Sequence, residues 1–531
     1  MMLGAFLLLA AFPFIWRWEA GGTRAGRPAA AVTTASGGAA AATAAQAGAT
    51  SASTATQAGA ASATAGSPQA TTSAGPEPAG GAAAALVDTP FGRVPRALPV
   101  PLNPAVASDL HPLPFTPAEP FDASSLQSEA AILIDATTGD ILFQKNADEE
   151  LPPASVTKLM TLDLAFDAVE DGRLSPDAEF PVSVRAWRTG GSSMFLDPSM
   201  KVRLRDLLYG VAVDSGNDAT VVLAEGLRGS VEAFVETMNA HAKELGMAHT
   251  HFVTPNGLPA PGHYSAASDL ARLARHYLNA HPEALVFHST RQFTFNEITQ
   301  YNQNPLLIHD YPGADGLKTG FASDCFNLVG TARRGDTRLI VVTLCARSEA
   351  ARYQDASRLL DWGFANFETL VALRPQAELG AVPVPDGRRT EVPVRAAAPV
   401  ALTVPRAAGA TDGVRVELAA APSLKPPLLA GQVVGEARVQ VGGRLMARVP
   451  VVAAADVAKA PAWTRFGRRH PHLRAAVVLG ALAAGAAGLL AWDRARRRRR
   501  RLRRFPALRY GGAWGGGSSW GGGWPSDRSG E

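Results

Sequence analysis

The chain has 531 residues, a formal charge of +4 and only two cysteines. That length exceeds one small domain, and two cysteines exclude both a disulfide-stapled scaffold and a zinc-finger spacing. The positive charge is gathered rather than spread: nine arginines fall between Arg494 and Arg504, which describes a tail and excludes a nucleic-acid groove.

Met1 to Trp16 is uncharged and contains Leu7-Leu8-Leu9. Residues 1–28 therefore read as an export signal or an N-terminal anchor. Residues 29–120 are Ala/Thr/Ser-rich and then proline-studded, too poor in apolar side chains to bury a core, and are expected to be a disordered linker. Globular sequence runs over 121–370. Ala130–Asp135 and Asp140–Lys145 flank Thr137-Thr138-Gly139 as a hairpin, and a mostly helical region covers Arg205–Ala280. Strands return at Gly316–Phe321, Asn327–Ala332 and Arg338–Leu344, and a helix over Glu349–Phe367 closes the unit. Strands at both ends with helices between them predict an α/β (α+β) domain with an antiparallel sheet and a helical subdomain. Cys325 and Cys345 lie equally far from Gly335, the expected turn. A cross-strand disulfide and two buried free thiols both fit that spacing.

Residues 371–456 alternate Val-rich runs with Gly/Pro turns and read as a small all-β, sandwich-like domain. A linker over 457–474 leads to 475–492, which is uncharged for 18 residues, enough for a membrane-spanning helix; a membrane-surface helix is the alternative. The arginines after Asp493 put the basic and Gly/Trp-rich tail, 493–531, on the cytoplasmic side of the cytoplasmic membrane.

Three short motifs carry the chemistry. In Pro153-Ala154-Ser155-Val156-Thr157-Lys158 the prolines stop the preceding structure and an apolar run follows, so a helix starts there. Asp163, Asp167 and Glu170 recur at i, i+4 and i+7 as a wet stripe, and Lys158 falls ~140° away from it, on the dry side. A buried lysine one turn from Ser155 suits a serine nucleophile with an amine base. Ser215-Gly216-Asn217-Asp218 follows within the helical region, and Leu317-Lys318-Thr319-Gly320-Phe321 follows on a strand.

With Thr138-Gly139, Gly191-Ser192-Ser193-Met194-Phe195-Leu196 and Leu207-Leu208-Tyr209-Gly210, these motifs resemble the serine D-alanyl-D-alanine carboxypeptidases. These are the low-molecular-mass penicillin-binding proteins of the β-lactamase-like fold. The resemblance spans about Phe121 to Leu370 and more weakly reaches Ala455. It implies a hydrolase of peptidoglycan stem peptides, inhibited by β-lactams, with no cofactor and no metal. Ser155 is then the nucleophile, Lys158 its base and Ser215 a proton relay, all three catalytic. Asn217, Lys318, Thr319, Gly320 and Phe321 bind substrate, and the backbone N–H groups of Ser155 and Phe321 form the oxyanion hole. The sequence departs from the family at Asn302-Gln303-Asn304, where Asn-Arg-Asn is common and the arginine helps bind the terminal carboxylate; Arg352 matches another family arginine that can compensate. Two rival readings are a wall scaffold that keeps the fold without turnover and a β-lactamase, for which no Glu-x-x-x-Asn pattern lies between the second and third motifs.

Overall fold

The structure is a computed structural model that describes residues 71–73, 86–102, 108–117, 119–406, 413–421 and 424–502. The expected export segment, most of the Ala/Thr/Ser-rich stretch and the Gly/Trp-rich tail lie outside the described residues.

All six residues of Ala130–Asp135 are buried, and such an apolar run suits a strand covered on both faces. It lies within a six-stranded sheet: β1 (His111–Pro112), β2 (Ala130–Asp135), β3 (Asp140–Lys145), β4 (Ala314–Ala322), β5 (Cys325–Arg334) and β6 (Thr337–Ala346). The spatial order is β4-β5-β6-β2-β3-β1. Every neighbour is antiparallel except β1, a two-residue strand parallel to β3 that the sequence did not announce. In the β2–β6 register Leu133 faces Val341 and Ile132 faces Val342, so alternate residues go to opposite sides. Ile132, Ile134, Ile340 and Val342 join the core containing helices α1 (Lys158–Glu170), α2 (Asn217–Arg228), α3 (Val231–Glu244) and α4 (Ala267–Ala280). Leu133, Leu339 and Val341 pack on Leu359, Leu360 and Phe364 of α5 (Glu349–Asn366). The β4 end of the sheet is an edge.

Two expectations are corrected in this domain. Asp163, placed by periodicity on a wet stripe, is fully buried, because α3 and α4 cover that face of α1 and bring histidines to it; of the three acids only Glu170 is exposed. Residues 86–102, read as linker, form a hairpin of Leu86–Thr89 with Gly92–Pro95 and then a strap on the core. Ala97 and Leu98 are buried, Phe91 meets the rings of Phe166 and Phe287, and Ala97 O accepts from Arg338 Nε. These few apolar residues are spread too thinly between prolines to show a periodicity.

The C-terminal domain holds β7 (Phe367–Leu373), β8 (Glu378–Pro383), β9 (Glu391–Ala396), β10 (Val400–Pro405), β11 (Val414–Ala420), β12 (Val433–Val441) and β13 (Arg444–Ala453). They form a five-stranded sheet, β8-β9-β13-β12-β11, and a β7–β10 pair around a valine-rich core. The segment read as a linker over 457–474 is helical at α6 (Ala462–Arg469), and α7 runs from Pro471 to Leu502. Among the described residues, α7 is the one helix long and apolar enough to cross a membrane, and Val477, Leu479, Leu482 and Leu489 face outward from it.

Asp135, at the end of β2, joins the two domains. Fully buried, its carboxylate accepts from Thr137 N at 2.8 Å, from Thr369 Oγ1 of β7 at 2.6 Å and from Thr403 Oγ1 of β10 at 3.1 Å. Asp135→Ala leaves Thr137 N and Thr369 Oγ1 without a partner, while Thr403 Oγ1 keeps its contact with Thr138 Oγ1 at 2.7 Å. It is expected to cost about 2–4 kcal/mol and to lower the Tm by roughly 5–10 °C. Calorimetry checks this, and a Tm within about 1 °C of the parent would show that the carboxylate does not join the domains.

Candidate active site

Ser155 sits in a 3₁₀ turn, Ala154–Thr157, and α1 begins at Lys158, so the hydroxyl precedes the α-helix by one tight turn. Lys158 is completely buried. Its Nζ lies 2.8 Å from Ser155 Oγ, 2.7 Å from Asn217 Oδ1 and 2.8 Å from Asn256 O. Not one of these partners is a carboxylate. Burial first, then the positive charge of Lys318, hold the amine well below the ordinary lysine value, with Asp214 and Asp218 pulling the other way. An uncharged amine can donate to Asn217 and Asn256 and accept the proton of Ser155.

The second motif follows a π-helical turn, Gly210–Asp214, after which Ser215 takes a left-handed backbone, φ +67°. Ser215 Oγ is buried without a hydrogen-bond partner. Asn217 opens α2; its Nδ2 donates to Gly190 O at 2.7 Å while its Oδ1 holds Lys158. Asp218 accepts from Ser193 Oγ and from the backbone N–H groups of Met194 and Leu196, which pins the loop beside the site. Burial raises the Asp214 carboxyl to about 7.

The third motif lies on edge strand β4. Lys318 and Thr319 are buried, while the Phe321 ring is 58% exposed. A Cβ on Gly320 would stand 2.8 Å from Pro153 O and 3.1 Å from Ser155 N, so only glycine lets the strand lie this close to the Ser155 turn. Burial lowers Lys318 to about 7, Asp214 opposes that shift, and Arg352 adds to it. Arg352 is 4% exposed, so it is not a solvated surface arginine. It donates to Glu349 Oε1 at 3.0 Å, and its Nε is buried without a partner. Gln303, standing where the family arginine is common, donates through Nε2 to Asp214 O at 3.0 Å.

Sequence reasoning missed three positioning groups. The loop Pro255-Asn256-Gly257 supplies the third partner of Lys158. At Gly257, φ +81°, a Cβ would come within 1.9 Å of Ala154 O; Asn-Gly is a turn signal, but nothing local says what the turn touches. Asn327 of β5 donates through Nδ2 to Pro152 O at 2.8 Å and to Pro153 O at 3.1 Å, fixing the chain just before Ser155. His263 Nε2 meets Thr157 Oγ1 at 2.9 Å and its Nδ1 accepts from Val253 N, an arrangement for a neutral ring, which burial favours by lowering its pKa to about 4. The two cysteines form a disulfide, Cys325–Cys345, beside this edge of the sheet.

Comparison with known proteins places the chain in a family. Residues 115–348 match the D-alanyl-D-alanine carboxypeptidase family and residues 367–459 match the penicillin-binding protein 5 C-terminal domain. D-alanyl-D-alanine carboxypeptidase DacC of Escherichia coli is 38% identical over 65% of this chain and 88% of its own length. DacD of Salmonella typhimurium is 36% identical over 70% of this chain and 95% of its own length. The crystal structure of penicillin-binding protein 5 from Haemophilus influenzae is 35% identical, with a TM-score of 0.58, over 64% of this chain and 100% of that one. Penicillin-binding protein 6B from Escherichia coli is 34% identical, with a TM-score of 0.53, over 64% and 98%. With that similarity extending through both folded domains and nearly the full length of its relatives, this chain belongs to the D-alanyl-D-alanine carboxypeptidase family and is a hydrolase.

Proposed function

We propose that the chain removes the terminal D-alanine from peptidoglycan pentapeptide stems through an acyl-enzyme on Ser155. The observation that carries this reading is the fully buried Lys158 amine, 2.8 Å from Ser155 Oγ, with a second buried lysine close enough to lower its pKa. Neutral Lys158 takes the Ser155 proton as Oγ bonds to the carbonyl carbon between the two D-alanines. The backbone N–H groups of Ser155 and Phe321 receive the oxyanion. The C–N bond then breaks, and the departing D-alanine amine takes the proton through Ser215. Water hydrolyses the ester and regenerates Ser155. The extended stem pairs with the open edge of β4 as an added strand. Lys318 and Thr319 meet its carboxylate, Arg352 adds positive field behind Lys318, Asn217 holds the substrate backbone, and Gly320 leaves room. A β-lactam presents a strained amide in place of the scissile bond and blocks Ser155 as an ester.

The catalytic domain faces outward from the cytoplasmic membrane in this reading, with α7 as anchor and the arginine-rich end inside. The Cys325–Cys345 disulfide supports an oxidising compartment, and the arginines beyond Asp493 support the orientation.

Ser155→Ala is expected to abolish both labelling by a fluorescent penicillin and D-alanine release from a pentapeptide. Label still attached to the variant would place the nucleophile elsewhere. Lys158→Arg keeps a charge that cannot be shed, so D-alanine release should fall at least ~1,000-fold, within the range for losing a base that acts as a unit with its nucleophile. Parent protein that takes the label but releases no D-alanine would leave a scaffold in place of the enzyme.

The pH profile tests the two amines separately. On the acid side, protonating Lys158 removes the base, so kcat/KM should rise with pH as that amine loses its proton. On the alkaline side, Lys318 loses the charge that meets the substrate carboxylate as pH climbs through about 7, so kcat/KM, which reports the free enzyme, should fall. A rate still climbing at about pH 9 would contradict the depressed Lys318.

A further inference from the structure

Helix α1 carries Lys158 at its start and a second polar cluster further along, where α3 and α4 meet it. Asp163 is the centre of that cluster. Its Oδ2 lies 3.0 Å from His241 Nε2 of α3 and 3.8 Å from His276 Nε2 of α4, and its Oδ1 lies 3.5 Å from Nε2 of His281, the residue that ends α4. Among the described residues no lysine or arginine pairs with this carboxylate. Three imidazoles therefore stand around one fully buried carboxyl group, with His281 held mainly by Asp167.

Hydrogen bonds account for two of the three histidines, His241 Nε2 with Asp163 Oδ2 and His281 Nε2 with Asp167 Oδ1, both at 3.0 Å, but not for His276. Asp163 Oδ1 and His276 Nδ1 are buried without a hydrogen-bond partner, although buried polar atoms are nearly always satisfied. The His276 side chain makes no hydrogen bond: its other nitrogen stops 3.8 Å short, at Asp163. A histidine that holds nothing in place, yet turns Nε2 toward a carboxylate that another histidine already faces, has the disposition of a ligand. The donor atoms of Asp163, His241 and His276 all lie within 4.8 Å of one another. A tetrahedral zinc ion, bound at ~2.0–2.1 Å, sets its ligands ~3.3 Å apart, between the observed 3.0 and 3.8 Å. His241 has the outer support that metal-bound histidines have, with Nδ1 3.3 Å from Glu244 Oε2. The His241 and His276 side chains are 14% and 15% exposed, which leaves a path for an ion from solvent.

We propose that Asp163, His241 and His276 bind one divalent first-row transition-metal ion, of which zinc is the natural probe, with the fourth position open to water. The ion ties α1 to α3 and α4 and so stiffens the helix whose first residue is Lys158. It takes no part in the acyl transfer and does not depend on the roles given above to Ser155 or Lys158.

The test uses the full-length untagged protein in detergent, stripped with chelator and then dialysed against equimolar Zn²⁺. Elemental analysis should find about one zinc per chain, Co²⁺ should give the visible bands of a four-coordinate site, and Zn²⁺ should raise the Tm by about 5 °C. His276→Gln should lose the bound zinc and the Tm rise while its metal-free Tm stays within about 2 °C of the parent, since no hydrogen bond is removed. His241→Gln should also lose the zinc. Failure of the parent to retain zinc would overturn the proposal and leave a cluster that shares only protons. Zinc retained by both variants would overturn it too, placing the ion elsewhere.

Discussion

The removal of one ammonium group from water is the constraint on which the rest of this structure depends. Lys158 is fully buried, and the groups that touch its nitrogen are a hydroxyl, a carboxamide and a backbone carbonyl. A carboxylate in any of those places would restore the charge. Two carboxylates do stand near. Asp218 is occupied with the 193–196 loop, and Asp214 has its own pKa raised by burial. Lys318 then adds a repulsive charge from the neighbouring strand. The site stores unfavourable electrostatics in the free protein, which the anionic terminus of the proposed substrate would relieve.

Such an arrangement requires close approach from several directions, and the backbone is shaped for it. Gly320 brings β4 against the Ser155 turn, and Gly257 brings the Asn256 carbonyl within reach of Nζ. Asn327 ties the same turn from below through two carbonyls. Three elements distant in sequence therefore converge on a four-residue turn, and a side chain at either glycine would push one of them away. Among the described residues the outer edge of β4 is unpaired, so its backbone groups are free for the extended peptide of the proposed function.

The architecture beyond the site serves placement. Asp135 ends the central strand β2 and accepts hydroxyls from β7 and β10, so the sheet that carries the site continues into the C-terminal domain through one buried carboxylate. At the other end of the folded region α6 and α7 follow, the latter with an apolar surface that no described residue covers.

How much of this was legible in the sequence follows from the range of the forces involved. Period and punctuation are local, so the β2–β3 hairpin, the closing helix α5 and the turn–helix start at Ser155 could all be read directly. The triad of short motifs was legible because the chemistry needs particular side chains at particular places on those local elements. Tertiary contact decided the rest. Asp163 satisfies a wet periodicity and yet is buried, because two other helices bring imidazoles to it. The strap over 86–102 has too few apolar residues to announce itself and takes its order from the core it covers. Arg352 is as compatible with solvent as with burial until β5 and α5 are packed together. By itself the amino-acid order determined which residue types stand beside one another along each element, and hence the chemistry available. Only the folded chain decided which of them are dry, because dehydration depends on neighbours that are far away in sequence.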